Sequence, residues 1–166
     1  YSPNRFAKSL RTKESNTIGI MVEDITAFQT PRIINGINNY VEKQGYAVIL
    51  NNMSLLEKTG NHYSELSSYQ SAISKSIKLF NKTQIDGLVY VAMHDRDVME
   101  LIPKLSIPIV LVYCYDTSKN NYYVTYDNVD VIVDVAECLM KRGNEKIGVI
   151  KGAEDSLPSQ KRLKSF

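Results

Sequence analysis

The 166 residues suffice for one ordinary domain or one and a half small lobes. With 43% hydrophobic and 23% charged residues the chain is globular rather than disordered, and a net charge of only +2 excludes a polycation, so any nucleic-acid affinity must be local. Cys114 and Cys138 stand far apart in apolar surroundings and form neither a CxxC nor a disulfide framework, which fits a reducing compartment.

The opening decapeptide, YSPNRFAKSL, is basic and helix-like. Arg5, Lys8, Arg11 and Lys13 all precede the first acid, Glu14, and the apolar residues Phe6, Ala7 and Leu10 are few. Such a segment is either a solvated leader or a piece that orders on a polyanion. RTKESNT then reads as a polar linker. TIGIMVE is a β-branched strand. TPRIINGINNYVEKQG follows with Ile33, Ile34, Ile37 and Val41 at helical spacing, Thr30 as N-cap, Pro31 in the first helical position and Gly45 as the stop. YAVILN is the next strand. Residues 62–80 predict a longer helix with Leu66, Tyr69, Ile73, Ile77 and Phe80 on one side. IDGLVYVAM is a strand, 95–103 a short helix ending near Pro103, IPIVLVY a strand and NYYVTY a shorter one. Residues 128–142 predict a helix with Ile132, Val135, Ala136, Leu139 and Met140 on one stripe, stopped by Gly143. KIGVIKG is a last strand, and 158–166 begins a further helix. No apolar run approaches the roughly 18 residues of a membrane span, and the N-terminus lacks the layout of a secretion signal.

Continuous apolar strands alternating with helices imply an α/β fold with a doubly wound parallel sheet, buried on both faces. Ligands of such sheets bind beyond the carboxyl ends of the strands. That places the expected site at residues 23–30, 51–54, 91–94 and 113–116, with Tyr126 and Asp127.

Little in the sequence points to catalysis. There is no GxGxxG, GxxxxGK[ST] or GxSxG, and the first strand-to-helix turn, EDITAFQTP, has no glycine to cradle a phosphate. His62 and His94 have no metal-ligand spacing, so no metal and no cofactor is expected. His62 reads as a surface residue at a helix start, while His94, just past a strand end, is a candidate ligand contact. Glu23 and Asp24 read as solvated loop acids; a receiver-type metal site would also need an acid where Val91, Ala92 and Met93 stand. Aromatic rings at strand ends can stack on a sugar and donate a hydrogen bond, and Tyr113 and Tyr126 are placed for it.

YSPNRFAKSLRTKESNTIGIMVED resembles the hinge of the LacI/GalR transcriptional regulators running into their effector-binding domain. Tyr1, Pro3, Asn4, Ala7 and Leu10 meet the pattern Y-x-P-N-x-x-A-x-x-L, followed by Thr17, Ile18 and Gly19. INGINNYVEKQGY, IDGLVYVAM, IPIVLVY, VTYDN, LMKRGNEKIGVIKG and RLKSF resemble successive elements of that family's core, so the resemblance covers the whole chain. It implies a type I periplasmic-binding-protein-like architecture: a hinge over 1–12, an N-terminal lobe over 13–126, and the start of a second, incomplete lobe over 127–166. It also implies a cytoplasmic homodimeric repressor whose DNA-binding headpiece lies outside this sequence.

By the same resemblance, paired hinge helices sit in the minor groove of operator DNA. Leu10 is the wedge that kinks the duplex, Ala7 faces its partner or the groove, and Asn4 and Arg5 approach the backbone. Lys8 and Arg11 add salt-sensitive phosphate attraction. A small effector, a sugar or sugar derivative, sits between the lobes against Ala27, Gln29, Thr30, Ile33, Val91, Met93, Tyr113, Tyr126, Asp127 and Arg162. The family's N-P-F-F wall is replaced by Ala27, Phe28, Gln29 and Thr30, which leaves the ligand's identity open. The competing expectations are a periplasmic-type sugar-binding protein without DNA function and, more remotely, a flavodoxin-like enzyme.

Overall fold

A computed structural model describes residues 15–60, 66–118 and 120–166. The segment carrying Asn4, Arg5, Ala7, Lys8, Leu10 and Arg11 lies outside the described residues, as does His62. The order of elements is β1 (Thr17–Val22), α1 (Thr30–Lys43), β2 (Ala47–Asn52), α2 (Leu55–Thr59), α3 (Leu66–Thr83), β3 (Gly87–Val91), β4 (Ile109–Val112), β5 (Tyr122–Val124), α4 (Asp130–Lys141) and α5 (Leu157–Ser165). The five strands form one sheet in the order β2-β1-β3-β4-β5, every neighbouring pair parallel. Ile18 lies opposite Val48 on one side and Gly87 on the other, and Val89 lies opposite Val110. The order reverses at β1, so crossover helices cover both faces, as a doubly wound sheet requires.

Each face has its own core. Tyr69, Ile73, Ile77 and Phe80 of α3 pack with Met21, Leu88, Tyr90 and Leu111, all buried. On the other face Ile33, Ile34 and Ile37 of α1 pack against Ile20, Val22 and Val91. The helix boundaries follow local chemistry. Pro31 sits in the first turn of α1, where its missing N–H costs nothing, and Gly45 and Gly143 take φ +81° and +84° just beyond α1 and α4. The N-cap position of α1 is Gln29, one residue before the expected Thr30.

Two expected elements do not form. Residues 95–103 are not a helix: Asp97 bridges Tyr115 in parallel, with Val98 N–H to Tyr115 O at 2.9 Å and Tyr115 N–H to Arg96 O at 3.0 Å. Those bonds take the backbone groups a helix would need, and only one turn closes, through Ile102 N–H to Val98 O at 3.1 Å. Residues 146–152 are not a strand, although their sequence has strand character. A strand exists through its ladder, and no other strand runs beside this segment among the described residues. The apolar stripe expected on α4 is largely uncovered, with Val135 and Met140 exposed.

Candidate functional site

A cavity of about 390 Å³ opens at the carboxyl ends of the strands, within the range of small-ligand sites. One wall comes from the sheet: Phe28 after β1, His94 after β3 and Tyr113 after β4. The other comes from residues 149–153, Ser156, Ser159, Arg162 and Phe166, in and around α5. Ser156 caps α5 by accepting the Ser159 N–H, and the Ser159 hydroxyl in turn accepts the Gly152 N–H at 2.9 Å, which ties the loop to the helix.

Two aromatic lining residues stand in left-handed backbone, Phe28 at φ +40° and Tyr113 at φ +63°. Bulky side chains rarely adopt this region, and such strain gathers where the surroundings enforce it. Here Tyr113 N–H is held by Val124 O at 2.7 Å, and the turn under Phe28 is closed by Thr30 N–H to Ala27 O at 2.9 Å. The Phe28 ring meets His94 edge-on with centroids 6.1 Å apart. Tyr113 meets Tyr126 edge-on at 4.8 Å, and Tyr126 lines a second crevice with Asp95, Tyr115, Tyr123 and Lys161.

The electrostatics beneath the cavity come from one buried cluster. Glu23, fully buried, accepts hydrogen bonds from Tyr90 Oη, from the Arg96 guanidinium and, at 2.8 Å, from Met93 N–H. The Arg96 guanidinium stacks on the Tyr69 ring at 4.1 Å. Burial alone would lower the Arg96 pKa, but Glu23 reverses this, so the guanidinium stays charged. Asp24, also buried, accepts Thr26 N–H at 2.9 Å and Leu56 N–H at 3.1 Å. The expected solvated loop acids are therefore both interior groups that fix the turn after β1. Burial, reinforced by the Arg96 charge, pulls the His94 pKa from 6.5 down to about 4, so the ring is neutral at pH 7. Burial raises Tyr113 above the ordinary phenol range.

The structure brings Tyr113 and Arg162 together in the cavity wall. Tyr126 and Asp127 line the second crevice instead, and Asp127 accepts the Val129 and Asp130 N–H groups at 3.0 Å, at the start of α4. Ala27, Val91 and Met93 do not face the cavity: they are 2%, 1% and 1% exposed and belong to the cores. Phe28, in left-handed backbone, is exposed, while its neighbour Ala27 is buried. Glu23 holds the Met93 backbone, and the next residue, His94, is the one that reaches the cavity. Gln29 is exposed at the start of α1, Thr30 is buried, and Ile33 packs in the smaller core. The residue-by-residue reading missed Phe28, Ser156, Ser159 and Phe166, although the first lies inside the very stretch it singled out.

No family model matches the chain. Among curated proteins it is similar to the HTH-type transcriptional regulator RegA of Clostridium acetobutylicum, 30% identical over 147 residues, covering 87% of this chain and 40% of RegA. Among solved structures it is similar to the Lac repressor dimer bound to operator and the anti-inducer ONPF, with TM-score 0.71, 19% identity, and 99% of this chain against 54% of that one. It is also similar to a periplasmic binding protein/LacI transcriptional regulator from Alkaliphilus metalliredigens complexed with D-xylulofuranose, with TM-score 0.64, 19% identity, and 90% of this chain against 50% of that one. The chain thus spans less than half the length of RegA and about half of each structural neighbour.

Proposed function

The chain belongs to the LacI family of transcriptional regulators, and from that premise we propose that it senses a small effector for a repressor-type DNA-binding protein. The observation that carries the reading is the cavity itself, with Phe28 and Tyr113 held in left-handed backbone opposite Arg162. Aromatic faces suit the apolar face of a ring sugar, and a guanidinium suits its hydroxyls. The charges favour a neutral ligand over a phosphosugar. His94 is neutral at pH 7 and Lys151 is paired with Glu154 at 2.7 Å, so the cations are not clustered as a phosphate would need.

In this reading the protein acts as a homodimer on operator DNA. The basic segment with Asn4, Arg5, Ala7, Lys8, Leu10 and Arg11 makes minor-groove and phosphate contacts, and the effector biases the angle between the cavity walls. Because binding free energies are linked, effector and DNA change each other's affinity by one common factor.

The test is calorimetry of the intact protein against D-ribose, sucrose, D-xylulose and their phosphates. Each titration is repeated with a duplex that the protein has selected from a random pool. A sugar that binds, with an affinity shifted by DNA, supports the reading. A sugar that binds unshifted makes the protein a solute receptor of the periplasmic type, and turnover of any panel member overturns both readings.

A further inference from the structure

Asp95 lies just beyond β3, its side chain only 3% exposed, and it does not line the cavity. Its Oδ1 accepts the Thr125 hydroxyl at 3.1 Å, and its Oδ2 accepts Asn128 Nδ2 at 3.0 Å and Lys161 Nζ at 3.1 Å. Asn128 is itself buried, and its Oδ1 accepts Arg162 Nε–H at 2.8 Å. These residues come from three places in the fold: the end of β3, the segment between β5 and α4, and the middle of α5.

A primary amide has a donor end and an acceptor end. The carboxylate of Asp95 can only accept, so it draws the Nδ2 end of Asn128 towards itself. The oxygen end must then point to Arg162, whose Nε–H can only donate. Without Asp95 the buried Nδ2 end loses its acceptor, and the amide is held from one end only, by Arg162 itself. Lys161 attaches the adjacent residue of α5 to the same carboxylate. We propose that Asp95 is a positioning residue for the cavity arginine: it sets the orientation of the Asn128 amide, and that amide fixes the Arg162 side chain. The relay engages Nε and leaves the terminal guanidinium nitrogens for the cavity, where Tyr113 stands. Its functional meaning rests on the effector reading of the cavity, but its geometry can be tested without any ligand.

The experiment follows arginine Nε–H resonances of the intact protein by 15N NMR, with Arg162 assigned from its loss in Arg162→Lys. The Arg162 Nε–H is expected to exchange with water about tenfold more slowly than that of exposed Arg32. Asp95→Leu should abolish this protection. Asp95→Asn, which keeps an acceptor oxygen for Asn128, should restore it, and Lys161→Met should leave it in place. Protection that survives Asp95→Leu, or is lost equally in Lys161→Met, overturns the relay. If Asp95→Leu does not fold, Asp95→Ala reads the same link: loss of protection supports it and retention overturns it. Calorimetry with D-ribose and D-xylulose separates this claim from the effector reading. If no member of the panel binds the unsubstituted protein, the effector reading fails while the resonances still decide the relay. If one binds, Asp95→Leu should weaken it about tenfold and Asp95→Asn by less.

Discussion

Glu23 and Arg96, 73 residues apart in the chain, form an ion pair inside the protein, and Glu23 also holds the backbone N–H of Met93. The pair joins the turn after β1 to the segment after β3, the two places from which Phe28 and His94 enter the cavity. Removing one member of a buried pair leaves the other uncompensated, typically at a cost of about 3–5 kcal/mol. Glu23→Ala should therefore lower the stability of the protein by about that amount, since Tyr90 Oη and Met93 N–H lose their acceptor as well. Urea unfolding checks it. Replacing both members, Glu23→Leu with Arg96→Met, should cost less than either change alone.

The architecture was legible in the sequence because its signals are local. Pro31 and Gly45 bracket α1, and the runs TIGIMV and GLVYV have the apolar continuity of strands buried on two faces. The site was less legible because its determinants are not local. Glu23 beside Asp24 reads the same whether water or Arg96 compensates it, and Arg96 gives no sign in sequence of being a partner. Phe28 lines the cavity from left-handed backbone, a conformation that its residue type does not announce. The stretch 95–103 has enough apolar spacing for a helix, but Tyr115 claims its backbone.

His94 predicts a pH dependence. Its folded pKa, about 4, lies below the unfolded value of 6.5, so the unfolded chain binds more protons between those limits. Stability therefore rises with pH across this window: the contribution is complete above about pH 6.5 and is lost as pH falls towards 4. Between pH 7 and pH 4.5 the protein should lose on the order of 2 kcal/mol more than a His94→Phe variant. Urea midpoints at the two pH values measure this, and equal losses in both proteins would mean that His94 is not held neutral.

Gly19, in β1, lies against Phe80 of α3 and against Ile85. A Cβ there would lie 2.6 Å from Ile85 Cδ1 and 3.0 Å from the Phe80 ring. Gly19→Ala forces one of these side chains aside and should cost about 1–3 kcal/mol through overpacking. Gly36→Ala, on α1 with nothing within 4 Å, should instead be neutral or stabilising. Thermal unfolding of the two variants tests the contrast.

Asp86 stands at the opposite end of the sheet from the cavity, immediately before β3. Its Oδ1 accepts Ser15 N–H at 2.9 Å and Ser15 Oγ at 3.1 Å, and its Oδ2 accepts Thr17 N–H at 3.3 Å. Its own N–H donates to Thr17 O at 2.9 Å, so the chain is fastened to the sheet as it passes from the basic segment into β1. Asp86→Ala removes the acceptor of two partly buried backbone N–H groups and one hydroxyl and should cost about 1–3 kcal/mol in urea unfolding. Under the proposed function the effect on linkage is more informative. A loosened Ser15 should leave effector affinity in the absence of DNA within about twofold of the unsubstituted protein, because the cavity is remote and binding free energies of distant sites add. The factor by which DNA shifts that affinity should fall towards one, because the tie between Ser15 and the sheet is the part that has been cut. Calorimetry with and without duplex reads both numbers. An unchanged coupling factor in a variant that has lost stability would confine Asp86 to holding the sheet together.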